Sequence, residues 1–225
     1  GRHNGHTGAI MINLVAALEI ALNNGRHPLM QLDLGPKTGE VEEFATFDQF
    51  FAAFAAQLEF LVDQAVELNN RYAEAHARLR PTPFLSSTIE GCIERARDMT
   101  SGGARYNTSG TANIGLADVT DSLTAIKRLV FDDGRVGFRE LKEALDSNFR
   151  NAPALHAIMR NRVPLFGSGN PEALRMANRV ACLVHDLFSM HRNTRGGRYT
   201  TGFWSMSQHT AYGNLSGALP SGRLS

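Results

Sequence analysis

Apolar residues recur every three or four positions from Phe47 to Arg78, at Phe47, Phe50, Phe51, Phe54, Leu58, Leu61, Val62, Ala65, Leu68 and Tyr72. That spacing draws one apolar stripe along a long helix. Thr46-Phe47-Asp48-Gln49 offers a capping box at its start, with the Thr hydroxyl and the Gln amide satisfying free backbone donors reciprocally. Pro81 and Pro83 stop it. Upstream, Ile12, Ala16 and Ile20 set a broad apolar face over Ala9 to Asn24, and Asn24-Gly25 ends that helix because both residues tolerate the left-handed cap conformation. Arg26 to Ala45, with Pro28, Gly35-Pro36 and Gly39, reads as a long irregular connection.

Downstream the pattern predicts a helix over Ser86 to Asp98, a strand over Gly102 to Asn107, and a helix from Gly115 to Phe131 capped by Asn113. Leu116, Val119, Leu123, Ile126 and Val130 form the buried face of that last helix. Two shorter helices follow over Val136 to Phe149 and Pro153 to Asn161. Asn170 as cap and Pro171 at the first helical position then open a helix running to about His191. Tyr199 to Gln208 has the Tyr, Thr, Phe and Trp content of a strand. Its alternation directs Trp204, Met206 and Gln208 to one face and Phe203, Ser205 and Ser207 to the other. Helices joined through a few short strands suit an α/β layered or barrel fold better than a helical bundle.

Composition narrows the function classes. With 225 residues, 43% of them hydrophobic, the chain has material for a substantial core. A formal charge of +1 provides no global field for nucleic acid or an anionic membrane. Cys92 and Cys182 stand too far apart for a disulfide framework and fit a reducing compartment, so cytoplasm is the expected location. Apolar stretches such as Ala9 to Leu22 are broken by Asn13 and Glu19 and are too short to span a bilayer, and no signal peptide is visible. The chain begins at Gly1 and stops at Ser225 in a loop-like segment, so the expectation is an interior piece of a longer protein.

Three central blocks carry a family resemblance: Gly91-Cys92-Ile93-Glu94; Gly102-Gly103-Ala104-Arg105-Tyr106-Asn107; and Leu116-Ala117-Asp118 with Asp121 through Phe131. Similar blocks lie at both ends, as His6-Thr7-Gly8 to Asn13 with Leu22 to Gly25, and as Arg195-Gly196-Gly197-Arg198-Tyr199 through Ala218 to Arg223. In this order and spacing the chain resembles the glycyl radical enzymes, which include the pyruvate formate-lyases and the glycerol and propanediol dehydratases. The resemblance implies part of a ten-stranded α/β barrel, helix-rich, with residues 1–225 forming a partial pyruvate formate-lyase-like barrel domain. It implies a lyase, dehydratase, decarboxylase or acyltransferase acting on a small organic substrate. A glycyl radical, installed by an activating enzyme that uses S-adenosylmethionine and an iron-sulfur cluster, passes its reactivity to a cysteine thiyl. The family pattern also implies a homodimer and oxygen sensitivity.

Cys92 with Glu94 looks like the family's Gly-Cys-x-Glu catalytic motif. The blocks on either side resemble instead a second, downstream cysteine site, so the catalytic cysteine is expected upstream of Gly1 and Cys92 is read as a buried structural thiol. Arg135-Val136-Gly137-Phe138 is one residue short of the radical loop, and Arg179-Val180-Ala181-Cys182 has cysteine where glycine is needed. The radical glycine is therefore expected downstream of Ser225, and the chain alone is expected to be inactive. What remains is scaffold and substrate pocket, with His6, Trp204, Met206 and Gln208 as pocket candidates. Gly8 stands where polyol dehydratases of the family carry Asp. His3 and His6 lack a nearby carboxylate or cysteine to make a metal site, Gly102-Gly103 lacks the Lys-Ser/Thr of a phosphate loop, and no Gly-x-Ser-x-Gly elbow is present. The rival reading, resting on the Phe47 to Tyr72 stripe, is a non-catalytic helical scaffold or binding module.

Overall fold

The computed structural model describes residues 8–205 and 207–225, with the backbone alone of Gln208. Packing divides the chain into two compact units. One comprises the chain up to Ile12, Val62–Asn113 and Val184–Phe203, and the other comprises Asn13–Leu61, Ile114–Leu183 and Trp204–Ser225. The architecture is the helix-rich α/β type that the sequence predicts. No helix among the described residues is long and apolar enough to cross a membrane.

The first unit is built on a sheet of order β1-β2-β3, with β1 Ile10–Asn13, β2 Ser109–Ile114 and β3 Tyr199–Phe203. β2 and β3 are parallel, with Ser109 opposite Tyr199 and Asn113 opposite Phe203. Every residue of β2 is buried, as expected of a central strand covered on both faces. Val62 and Val66 of helix α2 (Phe47–Leu79) and Val184, Leu187 and Phe188 of helix α7 (Pro171–Ser189) supply the apolar packing of this unit.

Three expectations are corrected here. Residues 10–13 form β1, and helix α1 (Leu14–Leu22) starts only after Asn13, whose Oδ1 accepts the Val15 N–H at 3.1 Å. Burial alternates along β1, with Met11 exposed between Ile10 and Ile12, but an almost wholly apolar sequence has no polar period to separate strand from helix. Ser86 to Asp98 is not helical. Helix α3 (Pro83–Ser86) gives way to turns in which Ala96 takes φ +48°. The Asp98 carboxylate gathers these turns, accepting from Thr100 Oγ1 (2.6 Å) and N, Ser86 Oγ (2.8 Å) and Thr82 N (2.8 Å). These bonds, the Thr100 hydroxyl's first, hold its pKa down at about 2. Gly102 to Asn107 is likewise irregular, because the Asn107 amide turns back onto Ala104 O at 2.8 Å.

The second unit is held by α1, the first half of α2, α4 (Leu116–Ala125) with a wider helical turn over Ile126–Asp132, α5 (Phe138–Asp146) and α6 (Pro153–Arg162). Thr46 and Gln49 make the predicted reciprocal cap at the start of α2, each backbone N–H meeting the other's side-chain oxygen at 3.3 Å. Phe50 stacks edge-on against Phe44 (5.5 Å) and Phe138 (4.9 Å), and Phe54 and Leu58 are fully buried beyond it. The Arg179 guanidinium lies 3.7 Å over the Phe51 ring. Asn113 lies in β2 and does not cap α4, which is entered through Gly115 at φ +95°. A Cβ at Gly115 would sit 2.9 Å from Val15 Cγ2, so the close approach of α1 and α4 also needs glycine there.

Asn24-Gly25 closes α1 as predicted, with both residues at positive φ. Asn24 Oδ1 accepts the Thr38 and Gly39 N–H groups, its Nδ2 donates to Glu40, and the Gly25 N–H is bonded to Ile20 O at 2.7 Å. Asn170 Oδ1 caps α7 through the Glu172 N–H at 2.8 Å.

Candidate functional site

Two of the motifs singled out in the sequence meet in the first unit, at the end of the sheet where β2 and β3 begin. Buried Asn193 joins them. Its Nδ2 donates to Asn107 O (2.6 Å) and Ser109 Oγ (2.9 Å), while its Oδ1 accepts the Arg195 N–H (3.0 Å) and the Gly197 N–H (2.9 Å). All four hydrogen-bond positions of one carboxamide are used, which ties the Gly102–Asn107 segment to the Arg195–Tyr199 segment. Arg195 Nη2 adds a bond to Ser109 Oγ at 3.0 Å. Gly197 lies flat on this junction: a Cβ there would fall 1.9 Å from Asn107 O. Gly197→Ala therefore forces the two segments apart, with an expected loss of about 1–3 kcal/mol in chemical denaturation. An unchanged midpoint would show that the junction yields freely.

Tyr199, the first residue of β3, is tied to α2. Its hydroxyl accepts from Asn69 Nδ2 (2.8 Å) and donates to Asn70 Oδ1 (2.9 Å), and Asn70 Nδ2 donates to Arg192 O (3.1 Å). Burial raises the phenol pKa, so the group stays neutral and keeps its proton for Asn70. Sequence reasoning missed Asn69, Asn70 and Asn193. The one local signal for Asn193 is its position two residues before Arg195, the spacing of an Asx turn.

At the other end of the same strands, Asn113 Nδ2 donates to Thr111 Oγ1 and to Gly202 O, each at 3.1 Å. Its Oδ1 is buried with no partner among the described residues. β3 ends at Phe203 and helix α8 (Gln208–Asn214) begins at Gln208, so the strand predicted through Gln208 stops five residues early. The alternation that put Met206 and Gln208 on the face of Trp204 does not extend that far. Trp204 follows β3 directly and is partly exposed. His6, Met206 and the Gln208 side chain lie outside the described residues.

Comparison with known proteins bears on the same segments. Residues 1–213 match the family model described as pyruvate formate lyase-like. The chain belongs to this family. Trans-4-hydroxy-L-proline dehydratase of Clostridioides difficile is 32% identical over 95% of the chain, which covers 27% of that enzyme. The B12-independent glycerol dehydratase of Clostridium butyricum superposes with TM-score 0.92 at 34% identity, over 97% of this chain and 28% of that one. A glycyl radical enzyme from Archaeoglobus fulgidus superposes with TM-score 0.90 at 32% identity, over 96% of this chain and 27% of that one. The chain thus spans roughly a quarter of the length of the relatives it matches.

The family makes the two cysteines and the two loop-like motifs worth placing. Cys92 is buried, and Glu94 Oε2 accepts the Gly91 N–H at 3.0 Å, so this Gly-Cys-x-Glu is a closed local turn. Ile93 beside Cys92 is 69% exposed, because the predicted helix does not form there. Val136-Gly137 leads directly into α5, and Arg179 to Cys182 lies within α7.

Proposed function

We propose that residues 1–225 form part of the barrel domain of a glycyl radical lyase or dehydratase and contribute scaffold and substrate-pocket wall. The observation that supports this most is the superposition of 97% of this chain, at 34% identity, on 28% of a glycerol dehydratase. The catalytic cysteine and the radical glycine are supplied from outside this chain, since Cys92 is enclosed in its turn, Gly137 caps α5, and Arg179 to Cys182 lies within α7. The glycyl radical, generated by an activating enzyme using S-adenosylmethionine and an iron-sulfur cluster, supplies hydrogen-atom abstraction from a small organic substrate. The residues here hold position and exclude water. The Asn193 junction and the Tyr199 bonds fix where β2 and β3 start, and so where the far end of β2 presents Asn113. Cytoplasmic location, a homodimeric whole protein and pocket roles for His6, Trp204, Met206 and Gln208 belong to the same proposal. Gly8 in place of an aspartate disfavours polyol dehydration, and Trp204 favours a bulky or apolar substrate.

The test is anaerobic activation of the whole protein with its activating enzyme, read by electron paramagnetic resonance and by turnover of a substrate panel including trans-4-hydroxy-L-proline, glycerol and aryl acids. A glycyl doublet with turnover of one panel member is expected. Trp204→Ala should leave radical yield unchanged and lower kcat/KM about tenfold or more. A protein that never acquires the radical would favour the scaffold reading, and an unchanged kcat/KM would remove Trp204 from the pocket.

A further inference from the structure

The first unit contains a cleft of about 750 Å³. One wall is a single face of α2, where Asn69, Tyr72, Ala73 and His76 stand at three- and four-residue steps. Facing them are Ile89, Met99, Thr100 and Tyr106 from the segments gathered by Asp98 and Asn107, and Arg195 closes the base beside Thr108 and Ser109. The volume lies in the range of small-molecule sites, which are typically about 300–1,000 Å³.

Charge and shape select the ligand. Among the described residues the lining contains no aspartate or glutamate, while Arg195 contributes a permanent cation and His76 an imidazole. Arg195 is held in place from two sides. Its backbone N–H is bonded to Asn193, and Nη2 donates to Ser109 Oγ at 3.0 Å and Thr108 O at 3.4 Å. Nε and Nη1 have no acceptor among the described residues, so the held guanidinium keeps single N–H donors for an anion while Nη2 is taken by the protein. Tyr72 and Tyr106 are 66% and 55% exposed, and Ile89, Met99 and Ala73 continue the apolar surface between them. Exposed aromatic rings around a cation suit a flat apolar body carrying a single carboxylate. Arg105, 5.5 Å over the Tyr106 ring and paired with Glu90, steadies one of those rings from behind.

We infer that this cleft is a binding site for small organic carboxylates with a flat apolar body, anchored by Arg195 and flanked by Tyr72 and Tyr106. It takes its ligand without radical chemistry, so it stands or falls separately from the proposed activity. Calorimetric titration of the whole, unactivated protein with biphenyl-4-carboxylate should show saturable binding with Kd on the order of 0.1–1 mM. The uncharged biphenyl-4-methanol and inorganic phosphate should each bind at least tenfold more weakly. Arg195→Gln should weaken the carboxylate at least tenfold. Because Arg195 also supports Ser109, Tyr72→Ala on the exposed helix face serves as the second variant and should weaken it severalfold with an unchanged circular dichroism spectrum. Equal binding of acid and alcohol, no saturable heat, or wild-type affinity in Tyr72→Ala would each overturn the assignment.

Discussion

Phe50→Ala is expected to lower the unfolding free energy by about 3–5 kcal/mol, the largest effect of any single truncation in the aromatic cluster of the second unit. Phe50 is fully buried and makes edge-on contacts with both Phe44 and Phe138, so its removal leaves a cavity and takes one edge-on contact from each of two rings. Phe138 in turn faces Phe131 at 5.6 Å, which spreads the loss from α2 to the end of α4 and to α5. The control is Phe84→Ser. Phe84 is 88% exposed, and its replacement should change stability by no more than about 0.5 kcal/mol. Urea denaturation of both variants checks the contrast. Similar losses would mean that the cluster does not carry the second unit.

The second large effect is a pH dependence centred on Glu19 in α1. Its carboxylate is almost fully buried, Oε1 accepts the Gly217 N–H at 2.6 Å, and Oε2 has no partner among the described residues. Burial raises its pKa from 4.5 to about 7, against the opposing pull of the Gly217 bond and Arg223. A folded-state pKa above the unfolded value means that the folded chain binds the proton more tightly. The stabilisation is complete below pH 4.5 and is lost as pH rises through about 7. Between pH 5 and 8.5 this one group should cost about 2–3 kcal/mol of stability. Glu19→Gln keeps an acceptor for Gly217 and removes the titration, so the decline over that interval should shrink by most of this amount. Parallel slopes for wild type and variant would place the titrating group elsewhere.

Much of the helical framework was legible because it is specified by neighbouring residues. Thr46 to Gln49 and Asn170-Pro171 form the caps that their side chains suggest, and the Phe47 stripe is buried as far as Val62 except for half-buried Leu61. Past that point the stripe fails: Leu68 and Tyr72 are exposed, and α2 instead uses Asn69 and Asn70 to hold Tyr199. The strands were the hard part. β1 is an apolar run with no readable period, and the polar residues Ser109, Thr111 and Asn113 of β2 are buried by partners remote in sequence. The two glycine-containing motifs stood out, but nothing local indicates that they meet through Asn193. A carboxamide linking residues 86 positions apart is a tertiary fact. The candidate pocket was legible only through family resemblance, and the helix at Gln208 shows how far strand alternation can mislead when a strand ends early.

The turn that closes α1 has a bearing on the lifetime of the molecule. Asparagine followed by glycine is the pair most prone to spontaneous deamidation, a reaction in which the glycine nitrogen attacks the asparagine side-chain carbon to form a succinimide. Here the Gly25 nitrogen is engaged with Ile20 and the Asn24 carboxamide is pinned by Thr38, Gly39 and Glu40. The attacking and receiving atoms are each held by other partners. Covalent ageing at this site must wait for the turn to open, so the hydrogen bonds that end a helix also set the rate of a chemical clock.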